Sequence, residues 1–91
     1  MKHAGPDALE RLEPLLKRIR QRATLKERAP GTFYRAGRAF LHFHEHGTEF
    51  YADLRVDNDF VRLPATSPAE HKALLDRMDA LIADGSPARP R

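Results

Sequence analysis

The chain has 91 residues, 41% of them hydrophobic and 32% charged, which describes one globular domain and excludes a disordered chain. Sixteen lysines and arginines stand against 13 acids, a net charge of +3, and the absence of cysteine excludes disulfides, thiolate metal sites and cysteine nucleophiles. No apolar run is long enough to span a bilayer and no apolar segment follows Met1–Asp7 as a signal peptide would, so a cytoplasmic protein is expected.

Leu9, Leu12, Leu16, Ile19 and Ala23 recur at helical spacing, with Leu15 beside them, and predict an amphipathic helix from about Asp7 to about Arg22. Pro14 interrupts it. Lacking an N–H and clashing with the carbonyl four residues back, it requires the helix to kink there or to begin anew. Ala29-Pro30-Gly31 closes this section as a loop. Between Lys17 and Arg38 the charge is one-sided: Lys17, Arg18, Arg20, Arg22, Lys26, Arg28, Arg35 and Arg38 face a single acid, Glu27. Such a stripe suits either a solvated helix face or a phosphate backbone.

From Thr32 to Leu63 the apolar period changes from 3.6 to 2. Turn signals at Ala36-Gly37, His46-Gly47 and Asp57-Asn58 divide it into strands near 32–35, 38–45, 48–56 and 59–63, a four-stranded antiparallel meander. A second helix opens at Ser67-Pro68-Ala69-Glu70, a capping box, and buries Leu74, Leu75, Met78, Leu81 and Ile82. Gly85 is its natural C-terminal cap. The expected organisation is therefore a single α+β domain over residues 1–85, helix–four-stranded antiparallel meander–helix with both helices on one sheet face, and a disordered tail at 86–91.

A two-residue turn at His46-Gly47 would pair His44 with Glu49, Phe43 with Phe50 and His42 with Tyr51. Ala39, Leu41, Phe43, Phe50, Ala52 and Leu54 then form the core face, and Val61 and Leu63 join it. The opposite face would show Phe33, Arg35, Arg38, Phe40, His42, His44, Glu49, Tyr51, Asp53, Arg55, Phe60 and Arg62. That face is more aromatic than solvent alone requires, so it is the candidate binding surface, with Phe40, Tyr51 and Phe60 as contact area and Arg38 and Arg55 as polar anchors. Arginines stacked over the rings would be the plainer use of the same residues.

His42-Phe43-His44-Glu45-His46 is the densest chemical feature. Alternate strand residues share a face, so His42 and His44 project together. With Glu49 across the hairpin they make a set of two imidazoles and one carboxylate, which suits Zn²⁺ or Fe²⁺ with open positions. The same three side chains could instead form a solvated, titratable face with His44 paired to Glu49. Ser67 is committed as a cap, and no glycine-rich phosphate loop or paired-carboxylate site stands out.

Gly37-Arg38, His42-Phe43-His44, Ala52-Asp53-Leu54, and Phe60-Val61-Arg62 leading to the helix from Pro68 resemble the signature stretch of the luciferase-domain family of microbial proteins, from about residue 37 to residue 83. This chain has only Asp57-Asn58 where that family carries a longer segment with a further histidine. The same stretches are more weakly similar to MmcQ/YjbR-like proteins, a resemblance that implies a small α+β fold and DNA binding. Neither resemblance implies catalytic residues that can be placed here. The leading expectation is a non-enzymatic binding module that uses the outer sheet face, self-association included, and that needs no cofactor. The alternatives are nucleic-acid binding through the basic and aromatic residues, and a Zn- or Fe-dependent enzyme at His42, His44 and Glu49.

Overall fold

The structure, a computed structural model, describes residues 1–84, so the cap at Gly85 and the tail at 86–91 lie outside the described residues. It is an α+β fold: β1 (Lys2–His3), α1 (Pro6–Arg11), α2 (Glu13–Arg20), β2 (Leu25–Ala29), β3 (Thr32–Arg35), β4 (Arg38–His46), β5 (Glu49–Val56), β6 (Asp59–Pro64) and α3 (Pro68–Asp84). All strand pairings are antiparallel, in the order β2-β3-β4-β5-β6, with β1 joined to β4. The sheet thus has six strands rather than the expected four, and the described helices number three rather than two.

The two extra strands lack the alternation that marks a half-buried strand. β2 reads Leu-Lys-Glu-Arg-Ala and buries only part of Leu25. It is an edge strand, held to β3 by its backbone and by Glu27, which accepts from Gly31 N at 2.9 Å. β1 is two residues long and sits beside the second half of β4, with Lys2 opposite Glu45 and His3 opposite His44. Its hold continues where Ala4 N donates to Phe43 O at 3.1 Å and Gly5 N to Glu45 Oε2 at 2.7 Å.

Pro14 divides the first helical segment instead of merely bending it. α1 ends at Arg11, and α2 starts at Glu13 with the proline in its first turn, where a missing N–H costs nothing. Leu12 bridges the two helices in helical geometry and is buried. α3 begins as the capping box requires. Glu70 N donates to Ser67 Oγ at 3.1 Å, while Glu70 Oε1 accepts from Ser67 N at 3.0 Å and from Thr66 N at 2.9 Å.

Leu12, Leu15, Leu16 and Ile19 from the first helical pair and Leu74, Leu75 and Met78 from α3 form one buried cluster with Leu41, Phe43, Ala52 and Leu54 of the sheet. Phe33 belongs to this cluster too. It stands opposite Leu41 and is only 1% exposed, which corrects its expected place on the outer face. The cause is a bulge: Leu41 pairs with Phe33 and Ala39 with Tyr34, leaving Phe40 as an extra residue on β4.

The β4–β5 register also differs from expectation. Gly47, at φ 62°, takes the first turn position with Thr48 second, so His46 stays in the strand opposite Glu49. A glycine-first turn favours this choice, because only the first central residue then needs positive φ. Every partner moves by two residues: His44 faces Tyr51, not Glu49, and His42 faces Asp53, not Tyr51. An even shift preserves faces, so from Leu41 to Leu54 the core set of β4 and β5 survives the correction while the cross-strand partners of the histidines do not. Before Leu41 the bulge exchanges faces, placing Phe40 in the core cluster and leaving Ala39 half-buried outside it.

Candidate metal centre on the outer sheet face

Asp53 is the centre of the polar face. Being opposite His42 on β4 and Arg62 on β6, it lies between two strands that both present polar side chains. Its Oδ2 is 3.3 Å from His42 Nε2 and 3.0 Å from His44 Nε2. Arg62 grips the same carboxylate with both prongs, Nε to Oδ1 and Nη2 to Oδ2, each at 2.8 Å. Asp53 is 7% exposed and His44 8%. These are the two buried polar or charged side chains among the described residues.

Burial of a charge demands compensation, and the Arg62 guanidinium supplies it. This pair holds the Asp53 carboxyl below the usual carboxylate range against the opposing effect of burial, with the nearby histidines helping. Arg62 is correspondingly raised by the same bond. His42 is pushed the other way. Burial lowers its imidazole below the ordinary value, Asp53 partly offsets this, and the neighbouring His44 and His3 rings add to the lowering. A neutral His42 beside an ionised Asp53 is the protonation state a metal ligand pair needs.

His44 carries an unsatisfied demand. Neither Nδ1 nor Nε2 has a hydrogen-bond partner, although Nε2 lies 3.0 Å from Asp53 Oδ2, so the approach is close but poorly angled for a hydrogen bond. A buried polar atom left this way costs about 1–3 kcal/mol. The ligand atoms of His42, His44 and Asp53 all lie within 4.8 Å of one another. Bonds of 2.0–2.2 Å at a tetrahedral ion put neighbouring donors roughly 3.3–3.6 Å apart. The separations of 3.0 and 3.3 Å are close to that spacing.

Four rings meet at the site. His42 and His44 meet edge to face with centroids 5.0 Å apart, His3 stacks on His44 at 4.6 Å, and Phe60 meets His42 edge-on at 5.0 Å. Arg55 lies over Phe60 at 4.6 Å while its Nε donates to Ala39 O at 2.6 Å.

The residues named from sequence are distributed as follows. His42 and His44 are together, and the carboxylate beside them is Asp53. Glu49 faces His46 and accepts from the Tyr51 hydroxyl at 2.7 Å, a bond that raises the Tyr51 phenol. Phe60 is 39% exposed and Tyr51 half-buried, whereas Phe40, the bulge residue, is 3% exposed and belongs to the core cluster, which corrects its expected place on the binding face. Arg38 is exposed at the β3–β4 turn, across from Arg35.

Part of the basic stripe is engaged at home. Arg20 bridges Glu13 and Glu27 at 2.7 and 2.6 Å, Arg22 pairs with Asp79 of α3 at 2.8 Å, and Arg28 lies over Tyr34. Among the described residues no helix is long and apolar enough to cross a membrane.

Sequence reasoning missed Asp53 and Arg62 as members of the site, and His3 entirely. Gly47 was the signal for the first: moving the turn by one residue brings Asp53 opposite His42. For His3 there was none, since a two-residue strand carries no period. No family model matches the chain, and neither a curated protein nor a solved structure matches it, so the site is read on its geometry.

Proposed function

We propose that the protein is a small metal-binding module, in which His42, His44 and Asp53 on the outer sheet face hold one divalent transition ion of the Zn²⁺ or Fe²⁺ type. The carrying observation is the convergence of two imidazole Nε2 atoms on one carboxylate oxygen, with a buried His44 that lacks any hydrogen-bond partner. Imidazole and carboxylate donors without thiolates suit these ions. Arg62 fits the role of an outer-shell group: a carboxylate oxygen has two lone pairs, so Oδ2 can accept from Arg62 and still bind a metal. The Glu49 of the earlier expectation is replaced by Asp53, which shares the rim of the site with both histidines.

Calorimetric Zn²⁺ titration of protein purified without a histidine tag tests this. One equivalent bound by the wild type and lost in His42→Ala/His44→Ala supports the reading. Binding unchanged in the double variant refutes it. His44 faces away from the core cluster, so the variant should retain its fold.

A second reading rests on Phe60. An aromatic ring left 39% exposed, flanked by Arg55 and His42, is a contact residue for a protein partner or a second copy of the chain. Sedimentation equilibrium would show concentration-dependent association that Phe60→Ala abolishes; a monomer at all concentrations would remove the self-association version.

A further inference from the structure

His3 stands directly opposite His44 in the β1–β4 ladder, and antiparallel partners project to the same face. It therefore joins the outer face that carries the site proposed above. The histidine pair on β4 is flanked on both edges: Asp53 of β5 lies on one side and His3 of β1 on the other. The His3 ring centroid is 4.6 Å from that of His44 and 5.7 Å from that of His42. Its side chain is exposed and makes no hydrogen bond or ion pair among the described residues. Its ring nitrogens are not among the donors that lie within 4.8 Å of one another, so ligation requires a side-chain rotation that gives up the stacking on His44.

We infer that His3 is the fourth protein ligand of the metal, completing a closed set of three imidazoles and one carboxylate. This rests on the three-donor site of the preceding section. Its consequence is a change in the kind of site. Three protein ligands leave a position for water or substrate, whereas four close a tetrahedral ion, and closed zinc sites serve structure rather than catalysis. Metal would then clamp the N-terminal strand to the sheet. β1 is only two residues long, and beyond it Ala4 and Gly5 are held to β4 by the two hydrogen bonds from their amides. A metal bond to His3 would fix that segment, and the start of α1 at Pro6 with it.

The test follows the imidazole nitrogens of the full chain by long-range ¹H–¹⁵N correlation as one equivalent of Zn²⁺ is added, with calorimetric affinities for wild type, His3→Ala and His3→Gln. The expected result is that the His3, His42 and His44 rings all move to metal-bound positions. Both His3 variants should bind at least tenfold more weakly, since even outer-shell partners contribute roughly 10–100-fold. His3 is exposed on a strand held by backbone bonds, so neither variant threatens the core. If wild type binds zinc but the His3 ring does not move and both variants bind within twofold of it, the inference is overturned while the three-donor site stands. No zinc binding by the wild type overturns both.

Discussion

At the residue scale, the backbone asks more of Ala36 than of any glycine. Ala36 and Gly37 form the two-residue β3–β4 turn with φ of 53° and 81°, and a left-handed conformation at alanine costs roughly 1–2 kcal/mol. Ala36→Gly should therefore raise stability by about 0.5–1 kcal/mol, the relief being partly offset by glycine's larger unfolded entropy. Urea unfolding would register it as a higher midpoint at unchanged slope. Gly31 is the opposite case. At φ 74°, an added Cβ would lie 2.6 Å from Leu9 Cδ2 and displace that methyl, on a backbone conformation that side chains disfavour. Gly31→Ala should cost at least about 1 kcal/mol from the backbone alone, the terminal methyl of Leu9 being free to yield. The residue scale is also where sequence reading served the site best: His42 and His44 were identifiable from spacing, because a period of two is all that joint projection requires.

At the element scale, the capping of α3 and the hairpin turn show what local chemistry can and cannot reveal. The Ser67–Glu70 box was readable because each residue acts within four positions of the other, and Ser67→Ala should cost about 1 kcal/mol. The same box sets an acid response. Backbone amides of Ser67 and Thr66 hold the Glu70 carboxyl below its ordinary range, and Arg20 with the Gly31 amide does likewise for Glu27. A carboxyl lowered in the folded state stabilises fully above its unfolded value, near 4.3, and loses that contribution as pH falls through the lower folded value. Thermal midpoints should therefore fall below about pH 4.5, and Glu27→Gln should show a shallower acid limb than wild type. A Glu27→Gln profile parallel to wild type would contradict this assignment. β2 shows where local reading ends. Three of its four exposed residues are charged because an edge strand has little to bury, so only the pairing partner β3 identifies it.

At the scale of the whole molecule, helices and sheet share one apolar cluster, and the polar face is thereby left with a different task. The bulge that buries Phe40 in place of Ala39 leaves no mark in the alternation, whereas the face sets of β5, and of β4 from Leu41 onward, were legible because an even register shift cannot exchange them. The site's carboxylate was not, because the same shift exchanges every cross-strand partner, and choosing between 46–47 and 47–48 as the turn depended on one glycine. His3 and Asp53 approach the histidine pair from 39 residues upstream of His42 and from the far side of the hairpin, so only tertiary structure brings them together. In the core the account is conventional: Leu41, fully buried, should cost about 2–5 kcal/mol when truncated to alanine, whereas Phe60→Ala should change stability little.

The central claim is that Asp53, rather than Glu49, supplies the carboxylate of a metal site. Elemental analysis and calorimetric Zn²⁺ titration of wild type, Asp53→Asn and Glu49→Gln address it directly. One equivalent of metal in the wild type and in Glu49→Gln, with binding weakened at least tenfold in Asp53→Asn, is the predicted result. Absence of stoichiometric metal in the wild type, or a loss on Glu49→Gln with Asp53→Asn unaffected, would contradict it.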